Sequence, residues 1–280
     1  MLAVIIVNFG PPERTIYFVL NECVKIHTEH EVIIVDNAST DESYFRLTND
    51  LPRAHILRCY ENQGFARGNN QGADYAIKHF HPSYLLFINN DIIFKNPDVI
   101  DALISQMKQH PEVGIMGPQI LGLDGNRQGP FPRQTFGQRY LLATWGQLIY
   151  DSDEIKKRRQ VGFAENAKEG PVGWVSGSCF IVDASAFQQV GGFDPGTFLY
   201  GEEQILAARF SQIMKTVYFY PVVTVIHEQG GVTKSYFDSV QVRKMRLKSE
   251  SYYYRKYMRT PRWQLLLGRF TLWFKIIRGL

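Results

Sequence analysis

The segment LLFINNDIIF, residues 85–94, carries polar side chains with chemical potential inside a strongly apolar run. These side chains are Asn89, Asn90 and Asp91. A buried polar group without a partner costs on the order of 1–3 kcal/mol, and an unpaired charge costs more. We therefore expect Asp91 either to face solvent at the end of a strand or to have a partner such as a metal ion. A strand followed by an ordinary Asn/Asp turn is the alternative.

Polar residues follow three other apolar runs in the same way. They are Asn8 and Phe9, the segment from Asp36 to Ser39, and the segment from Asn62 to Asn70. In a parallel sheet the carboxyl ends of the strands lie along one edge, and ligands bind in the crevice beyond that edge. The sequence therefore predicts that the four polar strand ends meet in one crevice.

Helix-like segments alternate with the apolar runs. Predicted helices lie around residues 15–26, from near Asn69 onward, and around residues 97–110. The β-α-β order and the continuous apolar strands predict an α/β fold with a parallel sheet covered by helices on both faces. Residues 122–170 show little periodicity, which predicts a long loop with short helices.

The composition of the 280-residue chain fits a globular protein, with a hydrophobic fraction of 45%. No run of about 18 uncharged apolar residues is present, so no membrane-spanning helix is expected. Cys23, Cys59 and Cys179 are far apart and odd in number, which matches neither a disulfide framework nor a zinc site. This use of cysteine, and a start without a signal-peptide pattern, predict a location in the reducing cytoplasm.

The end of the chain is strongly cationic. Residues 251–280 contain seven cations and no Asp or Glu, which leaves 24 cations against 27 anions and a formal charge of −3 before them. A uniformly basic nucleic-acid-binding protein looks different. Six apolar residues of the tail have helical spacing: Trp263, Leu266, Leu267, Phe270, Phe274 and Ile277. The sequence predicts a basic, aromatic helical extension over residues 241–280. Within it, residues 259–280 are predicted to form a helix that lies on an anionic membrane surface, with packing on the catalytic domain or on a partner chain as the alternative.

Six segments occur in an order typical of a known family: IIVNFGPPERT, EVIIVDNASTDES, NQGFARGNNQGADYA, FINND, VSGSCFIVDASAFQQVGGFDPGTFLYGEEQILAAR and VIHEQGG. Over about residues 3–235 the chain resembles family 2 glycosyltransferases, and most of all the rhamnosyltransferase-like branch that builds bacterial surface polysaccharides. The resemblance implies a GT-A fold over residues 1–240 with a mixed, mainly parallel sheet. It also implies a nucleotide-diphosphate-sugar donor and a divalent metal, Mn²⁺ or Mg²⁺.

The resemblance assigns donor binding to residues at the predicted strand ends. Asp36 would accept the imide N–H of uracil or thymine, which favours UDP- or dTDP-sugars; an Asx turn with Asn37 is the alternative. Gly64 and Gly68 would permit close backbone approach, and Arg67 would face the base or the diphosphate. The implied donor-binding set is Asn8, Phe9, Asp36, Asn37, Asn62, Gly64, Phe65, Arg67, Asn69, Asn90 and Asp91.

The segment Asn89-Asn90-Asp91 falls where the family carries its Asp-x-Asp metal motif, with Asn89 in place of the first acid. One carboxylate instead of two should weaken the binding of hard cations, which favour charged oxygen ligands. The donor diphosphate can supply the missing oxygens, so Asp91 is predicted to contact a metal that arrives with the nucleotide. His227 matches a position where many relatives add an imidazole ligand, and a structural histidine at a strand end is the alternative.

The segment GEEQILAAR matches the family's Glu-Asp block at a helix start, which places the catalytic base at Glu203, with Glu202 as the second candidate. Inverting transfer needs a carboxylate that takes the proton of the acceptor hydroxyl as its oxygen attacks the anomeric carbon. Acids at a helix start are also favoured by the helix dipole alone. Trp174, Ser176 and Gly177 would line the acceptor side, although Trp174 suits the core equally well.

These residues predict an inverting, metal-dependent glycosyltransferase that acts on a glycan or a lipid-linked saccharide at the inner face of the membrane. A non-catalytic module that binds nucleotide sugars or glycans is the alternative, and Asn89 favours it. A nucleotidyltransferase would share the nucleotide-binding half but would not need the acids of YGEE. The donor sugar stays open among rhamnose, galactose, galactofuranose and N-acetylhexosamines, and no nucleic-acid partner is expected.

Overall fold

A nine-stranded sheet forms the centre of the fold in a computed structural model, which describes residues 1–142, 145–228 and 238–268 apart from the side chain of residue 147. The strands are β1 (Leu2–Asn8), β2 (His30–Asn37), β3 (His55–Cys59), β4 (Tyr84–Ile88), β5 (Ile92–Phe94), β6 (Val113–Gly122), β7 (Gly170–Val172), β8 (Cys179–Asp183) and β9 (Thr216–His227). Their order in the sheet is β3-β2-β1-β4-β8-β6-β9-β5, and β7 pairs with β9.

Parallel pairing joins the first four strands, and the second half of the sheet is mixed. β1 pairs in parallel with β2 and β4, β2 with β3, and β6 with β9. β8 runs antiparallel to β4 and β6, and both β5 and β7 run antiparallel to β9. Six of the nine strands in the described residues therefore point the same way, which confirms the predicted α/β fold with a mixed, mainly parallel sheet.

Helices connect the strands and cover both faces of the sheet. They are α1 (Glu13–Asn21), α2 (Asp41–Asp50), α3 (Gly64–Phe80), α4 (Val99–Gln109), α5 (Ser152–Arg158), α6 (Phe163–Asn166), α7 (Ala184–Gln189), α8 (Glu202–Gln212) and α9 (Ser239–Lys256). Short 3₁₀ turns lie at Cys23–Lys25 and Gly146–Leu148, a π-helical turn lies at Gly137–Leu141, and residues 262–268 are helical. α1, α2 and α3 form the crossover connections that parallel neighbours require.

Buried side chains on both faces explain why the strands are apolar at successive positions. In β1, Leu2, Val4 and Ile6 point to a core layer shared with α1 and α4. Ala3 and Ile5 point to a second layer under α3, α7 and α8. All five side chains are fully buried. Because side chains alternate across a strand, a strand covered on both faces needs an apolar residue at every position.

Three element boundaries differ from the predictions. The run YLLFINNDIIF forms two strands, because β4 pairs with β8 whereas β5 pairs with β9. α3 begins at Gly64 and not near Asn69, and the helix expected over residues 15–26 ends at Asn21. Residues 122–170 contain α5, α6 and short turns, as predicted for an irregular segment with short helices.

The C-terminal part of the chain packs on the sheet domain through α9. The helix starts with a capping box formed by Asp238 and Gln241, and two of its tyrosines are buried against α8. The boundary predicted at residue 240 stays a prediction, and residues 269–280 of the predicted interfacial helix lie outside the described residues. In the part of the chain that the structure describes, no helix is long and apolar enough to cross a membrane.

Candidate functional site

The polar ends of β1, β2 and β4 meet in one hydrogen-bonded network. The Thr15 hydroxyl of α1 donates to Asn8 Oδ1 (2.6 Å), and Asn8 Nδ2 donates to Asp36 Oδ1 (3.3 Å). Asn90 Nδ2 in turn donates to Thr15 Oγ1 (2.7 Å). The network connects the residue predicted to face the base with the segment predicted to face the metal. Thr15 lies at its centre and was not among the predicted site residues.

The end of β3 joins this edge through two asparagine amides. Asn37 Nδ2 donates to Asn62 Oδ1 (3.0 Å), and Asn37 Oδ1 accepts the backbone N–H of Gln63 (2.9 Å). Asn62 Oδ1 also accepts the backbone N–H of Gly64 (2.9 Å). The two amides therefore fix the loop between β3 and α3 against the end of β2. All four polar strand ends converge, as the sequence predicts.

Asp36 is fully buried, and only one of its carboxylate oxygens is paired within the described residues. Oδ1 accepts from Asn8, whereas Oδ2 has no hydrogen-bond partner there. The Asx-turn alternative is not observed, because the N–H of Ala38 donates to the backbone oxygen of Asp36 (3.0 Å). A buried acceptor that still lacks a donor fits a ligand that presents an N–H.

The glycines at the start of α3 permit close contacts within the protein. A Cβ on Gly64 would overlap the carbonyl oxygen of Phe198, and the φ of Gly64 is 76°, so space and backbone both require glycine. The N–H of Phe65 donates to the same oxygen (3.0 Å). A Cβ on Gly68 would lie 3.3 Å from Val7 of β1. Contacts within the protein thus explain why both positions are glycine. Their predicted contact with the donor stays a prediction.

The other donor-site candidates near α3 differ in accessibility. Arg67 is exposed, whereas Asn69 is buried and its Nδ2 donates to the backbone oxygen of Phe65 (3.0 Å). Phe65 packs edge-on against Phe193 with ring centroids 5.8 Å apart, and Phe9 is half-buried after β1. Arg67 is therefore the member of this group best placed to reach a ligand from solution.

Asp91 and His227 face each other because β5 pairs with the end of β9, where Ile92 is the partner of His227. Asp91 Oδ1 lies 3.2 Å from His227 Nε2, and the two side chains are 13% and 11% exposed. Oδ1 accepts no hydrogen bond from the residues that the structure describes. The sheet thus brings together two predicted metal ligands that are far apart in the sequence.

Gln128 determines the tautomer of His227. Its Oε1 lies 2.6 Å from His227 Nδ1, and an amide oxygen only accepts, so Nδ1 carries a proton. In the neutral imidazole with this tautomer, Nε2 presents its lone pair to Asp91. In this form two acceptors face each other at 3.2 Å, an arrangement that a cation near both atoms would stabilise. The pair therefore fits a shared divalent cation. Sequence reasoning missed Gln128, which reaches His227 after a bridge between Leu121 and Arg127.

Arg14 and Asn89 flank this pair. Arg14 Nη1 lies 4.0 Å from Asp91 Oδ2 and 3.8 Å from Glu228 Oε2, and Asn89 Nδ2 lies 3.5 Å from His227 Nε2. Across residues 1–142, 145–228 and 238–268, no three His, Cys, Asp or Glu side chains form a group that could hold a metal ion. The described part of the protein offers two ligands, so the others would come from the donor diphosphate or water.

Glu203 lies in the first turn of α8 with its carboxylate against Gly177. A Cβ on Gly177 would overlap Glu203 Oε1, so the Gly177 backbone lies directly against this carboxylate. The surrounding small cavity is lined by apolar side chains that include Trp174, Val175 and Phe180. Burial raises the pKa of Glu203, and backbone N–H groups oppose part of that shift. A raised pKa makes the carboxylate a stronger base.

Glu202, the other acid of this turn, differs from Glu203 in its surroundings. Glu202 is 3% exposed, whereas Glu203 is half-buried, and Glu202 Oε1 has no hydrogen-bond partner among the described residues. Burial, together with the charge of Glu203, raises the pKa of Glu202. The assignment of the base to Glu203, with Glu202 as the second candidate, stays a prediction.

The segment before β8 connects the surroundings of Glu203 with the segment Asn89–Asp91. The N–H of Asn89 donates to the backbone oxygen of Ser178 (2.8 Å), which follows Gly177. Ser178 also meets the predicted acceptor-side residue Ser176, with their hydroxyl oxygens 3.1 Å apart. These contacts connect the predicted catalytic base, the segment Asn89–Asp91 and the predicted acceptor side through one short stretch of chain.

Trp174 packs into the core layer under α8 and is half-buried. Its ring stacks on Phe131 with centroids 3.9 Å apart and an interplanar angle of 17°. The indole nitrogen is buried and has no partner among the described residues. Core packing of Trp174 is therefore observed, and its predicted contact with an acceptor stays a prediction.

Comparison with known families matches most of the sheet domain. The model of glycosyl transferase family 2 matches residues 3–191. This range includes Asp36 and Asp91, and it ends before both glutamates of α8 and before His227.

Three known proteins illustrate the similarity. An N-acetylglucosaminyl-diphospho-decaprenol L-rhamnosyltransferase from Mycobacterium tuberculosis is 27% identical over 244 residues, which are 83% of this chain and 78% of the relative. The mannosyltransferase PcManGT from Pyrobaculum calidifontis, solved with GDP-Man and Mn²⁺, has a TM-score of 0.57 at 13% identity over 93% of this chain and 65% of its own. GalNAc-T7, solved with UDP, GalNAc and Mn²⁺, has a TM-score of 0.58 at 16% identity over 91% of this chain and 48% of its own. The chain thus spans less than two thirds of either solved neighbour, and the likeness confirms the GT-A fold.

Proposed function

Because the chain belongs to glycosyl transferase family 2, we propose that it transfers a sugar from a UDP- or dTDP-sugar to a saccharide or lipid-linked saccharide, with inversion at the anomeric carbon. The observation that carries this proposal is the convergence of three groups at one edge of the sheet: the Asp36 carboxylate, the Asp91–His227 pair and the Glu203 carboxylate. They match the three tasks of such an enzyme, which are base recognition, diphosphate binding and deprotonation of the acceptor.

The unpaired oxygen of Asp36 supports recognition of uracil or thymine, since it can accept an imide N–H. The fold alone does not decide which nucleobase is bound, because two of the solved neighbours were obtained with GDP-Man and with UDP. The preference for UDP or dTDP therefore depends on Asp36 and on Asn8, which holds the other carboxylate oxygen.

Asp91 and His227 would hold the divalent cation that the family resemblance implies. A carboxylate oxygen and a neutral imidazole nitrogen suit Mn²⁺ at least as well as Mg²⁺. When bound, the cation would neutralise charge that develops on the leaving diphosphate. Gln128 supports this role because it holds His227 in the tautomer that leaves Nε2 available.

Glu203 would take the proton of the acceptor hydroxyl as the acceptor oxygen bonds to the anomeric carbon. The bond between that carbon and the diphosphate oxygen breaks on the opposite face, and its electron pair leaves with the nucleotide diphosphate. The proton ends on the Glu203 carboxylate and passes to water after the products leave. Burial supports this step, because it raises the pKa of Glu203 and so favours proton uptake.

A lipid-linked acceptor would bring the enzyme to a membrane surface. The mycobacterial relative is named for a decaprenol-linked saccharide, and we extend this to a role for the present chain in bacterial surface polysaccharide synthesis. Residues 262–268 are helical and expose Trp263 (62%) and Leu266 (64%), which supports contact with lipid headgroups. A peripheral location at the cytoplasmic face follows from the proposal.

The non-catalytic alternative has one observation in its favour. Asn89 stands where the family's first acid would be, and its amide faces His227 at 3.5 Å. One carboxylate provides less charge for a cation than two. Membership of family 2 and the enclosed acids Glu202 and Glu203 favour an enzyme over a non-catalytic module.

The test of this proposal is nucleotide release from a panel of UDP- and dTDP-sugars, measured with Mn²⁺ and with excess chelator. We expect release from at least one donor with Mn²⁺ and its loss with the chelator. Asp91→Ala and His227→Ala should each remove most of the metal-dependent release and weaken metal-dependent nucleotide binding in calorimetry. Asp153→Ala is the control, because that side chain is 89% exposed.

Two outcomes would contradict parts of the proposal. Full release in excess chelator would exclude the metal role of Asp91 and His227. Nucleotide binding without release from any donor, even with an acceptor saccharide present, would favour the binding module.

A further inference from the structure

The C-terminal helix α9 contacts the loop that leads into α8. Asp194 of this loop is 5% exposed and accepts hydrogen bonds from the Tyr252 hydroxyl (3.0 Å to each oxygen), Lys256 Nζ (2.7 Å), the Tyr257 hydroxyl and the Gly196 N–H (2.8 Å). A Cβ on Gly196 would overlap the Tyr252 ring, so the loop lies directly against the helix. Hydrogen bonds to a charged group stabilise more than neutral ones, which makes Asp194 a strong anchor.

Further contacts run along the same loop. Ser249 Oγ donates to the backbone oxygen of Leu199 (3.0 Å), and the Arg246 guanidinium carbon lies 4.8 Å from the centroid of the Tyr200 ring. Positions three and four apart on a helix share a face. One face of α9 therefore lies on the loop, and its contacting positions are 246, 249, 252 and 256.

The last residues of the loop have strained or special backbone conformations. Tyr200 has a φ of 73° and Gly201 a φ of 87°, and α8 begins directly afterwards with Glu202. A bulky residue in the left-handed region is strained and persists only where surrounding contacts hold it. The contacts of α9 with Leu199 and Tyr200 hold this part of the loop in place.

The outer side of α8 also packs on α9. Tyr253 and Tyr254 of α9 are buried in one cluster with Ile205 and Ala208 of α8. Phe136 belongs to the same cluster and meets the Tyr254 ring edge-on, with centroids 5.2 Å apart. α9 thus fixes both the entry into α8 and the outer face of the helix that carries the acid pair.

We propose that α9 positions Glu203 and the loop of residues 194–201 for sugar transfer, with Asp194, Tyr252 and Lys256 as positioning residues. The inference rests on the proposed function, in which Glu203 is the base. Asp36, Asp91 and His227 lie on other elements of the fold. Loss of the α9 contacts should therefore impair use of the acceptor and leave nucleotide binding intact.

The test compares the double variant Tyr252→Phe/Lys256→Met with Lys248→Met, which removes an exposed cation from the same helix. Transfer from the panel of UDP- and dTDP-sugars to a synthetic N-acetylglucosaminyl diphosphate lipid gives the turnover and the acceptor KM. Calorimetry with UDP or dTDP and Mn²⁺ gives the affinity and the number of binding sites. Hydrogen exchange reports the opening of residues 194–203.

We expect the double variant to lose turnover by roughly 10- to 100-fold and to raise the acceptor KM, because a displacement of about 1 Å near the reacting atoms has an effect of this size. The nucleotide affinity and the number of sites should not change. Amide exchange should become faster in residues 194–203 and stay unchanged in β1, β2 and β3. The control Lys248→Met should match the wild type in every measurement.

Wild-type turnover and acceptor KM in the double variant would overturn the inference. So would a loss of turnover accompanied by an equal loss of nucleotide-binding sites, since that result shows unfolding alone. A wild-type chain that binds nucleotide but transfers no sugar would overturn the proposed function and this inference with it.

Discussion

Individual carboxylates at the edge of the sheet differ in what encloses them. Asp36 Oδ1 accepts an N–H from the Asn8 amide, whereas Glu203 lies in a mainly apolar cavity with one contact to Gly177. A carboxylate fixed in a polar network is a suitable acceptor for a ligand, while one enclosed by apolar groups takes up a proton more readily. Asp36 therefore suits recognition, and Glu203 suits proton transfer.

The sharpest prediction at this scale concerns Glu203. Glu203→Gln keeps the size of the side chain but cannot take up a proton at neutral pH. A positioned general base typically contributes ~10²–10⁴-fold in rate, so turnover should fall by about that factor. The nucleotide affinity should stay nearly unchanged, because this residue faces the acceptor. Steady-state turnover and calorimetry on the same preparation measure both effects.

Glu202→Gln is the matched control for this prediction, since it makes the same change one residue away in the same turn of α8. It should cost less turnover than Glu203→Gln. If Glu202→Gln is the inactive variant, the mechanism holds and the catalytic base is Glu202 instead of Glu203. If neither variant loses more than ~10-fold, no general base lies in this turn of α8.

The preference for one nucleobase in the donor is predicted to depend on Asp36. Calorimetry should show much tighter binding of UDP or dTDP than of GDP or ADP, because Asp36 presents a buried acceptor to an imide N–H. Asp36→Ala should weaken UDP binding by roughly 10- to 100-fold, the usual effect of losing a hydrogen bond to a charged group. Asp41→Ala is the control, with a side chain 78% exposed on the next helix. Equal or tighter binding of GDP would remove the Asp36 assignment.

The sequence indicated some of these residues and not others, for a physical reason. Asp36, Asp91 and Glu203 follow apolar runs or begin a helix, so their types and positions point to a strand-end site. Thr15 and Gln128 lie in an ordinary helix turn and in an irregular segment, and each acquires its role only through contacts with distant residues. Local sequence contains no sign of such contacts.

At the scale of elements, strand ends were predictable and pairing was not. The apolar runs predicted β1 to β4 and their convergence. The break after Ile88 depends on distant strands, because β4 meets β8 and β5 meets β9. The start of α3 at Gly64 likewise depends on the carbonyl of Phe198, which lies far along the chain.

The anchor between α9 and the α8 loop gives a prediction about pH. Burial by itself would raise the pKa of Asp194, but hydrogen bonds from Lys256, Tyr257, Gly196 and Tyr252 together outweigh it and lower the pKa from 3.8 to about 2. Because the folded pKa is lower than that of the unfolded chain, the ionised carboxylate stabilises the fold above about pH 4. This contribution is lost as the pH falls towards 2.

Urea denaturation of the wild type and Asp194→Asn, at several values between about pH 5 and pH 3, measures this contribution. The difference in the free energy of unfolding should shrink steadily as the pH falls. Asp183→Asn is unsuitable as a control because Asp183 caps α7, so Asp153→Asn, at an exposed carboxylate, serves instead. A difference that does not vary with pH would show that Asp194 acts by shape alone.

At the scale of the whole molecule, the placement of α9 could not be predicted from its sequence. Its residues are mostly polar, and only Ser249, Tyr253 and Tyr254 are buried. No apolar stripe therefore indicates which face packs or on what. The structure shows that this helix packs on α8 and on the loop before it, so residues 239–256 and the candidate acid pair belong to one packed unit.

The last prediction concerns the membrane. Within residues 262–268, Leu265 packs on the cluster around Phe136, whereas Trp263 and Leu266 are 62% and 64% exposed. One side of this short helix thus packs on the protein, as the alternative to membrane binding predicts. The other side is exposed and can contact lipid. Exposed aromatic and aliphatic side chains among cations favour an anionic headgroup region, and salt should weaken that attraction.

Trp263→Ser/Leu266→Ser should therefore reduce binding to vesicles that contain anionic phospholipid, measured by co-sedimentation at low and high salt, and should spare turnover on a soluble acceptor. Deletion of residues 259–280 should abolish the binding, since it also removes the cations of the tail. Leu123→Ser is the matched control, because Leu123 is 72% exposed at a distant hairpin. Vesicle binding that is unchanged in both the double variant and the truncation would show that the tail serves packing and not the membrane.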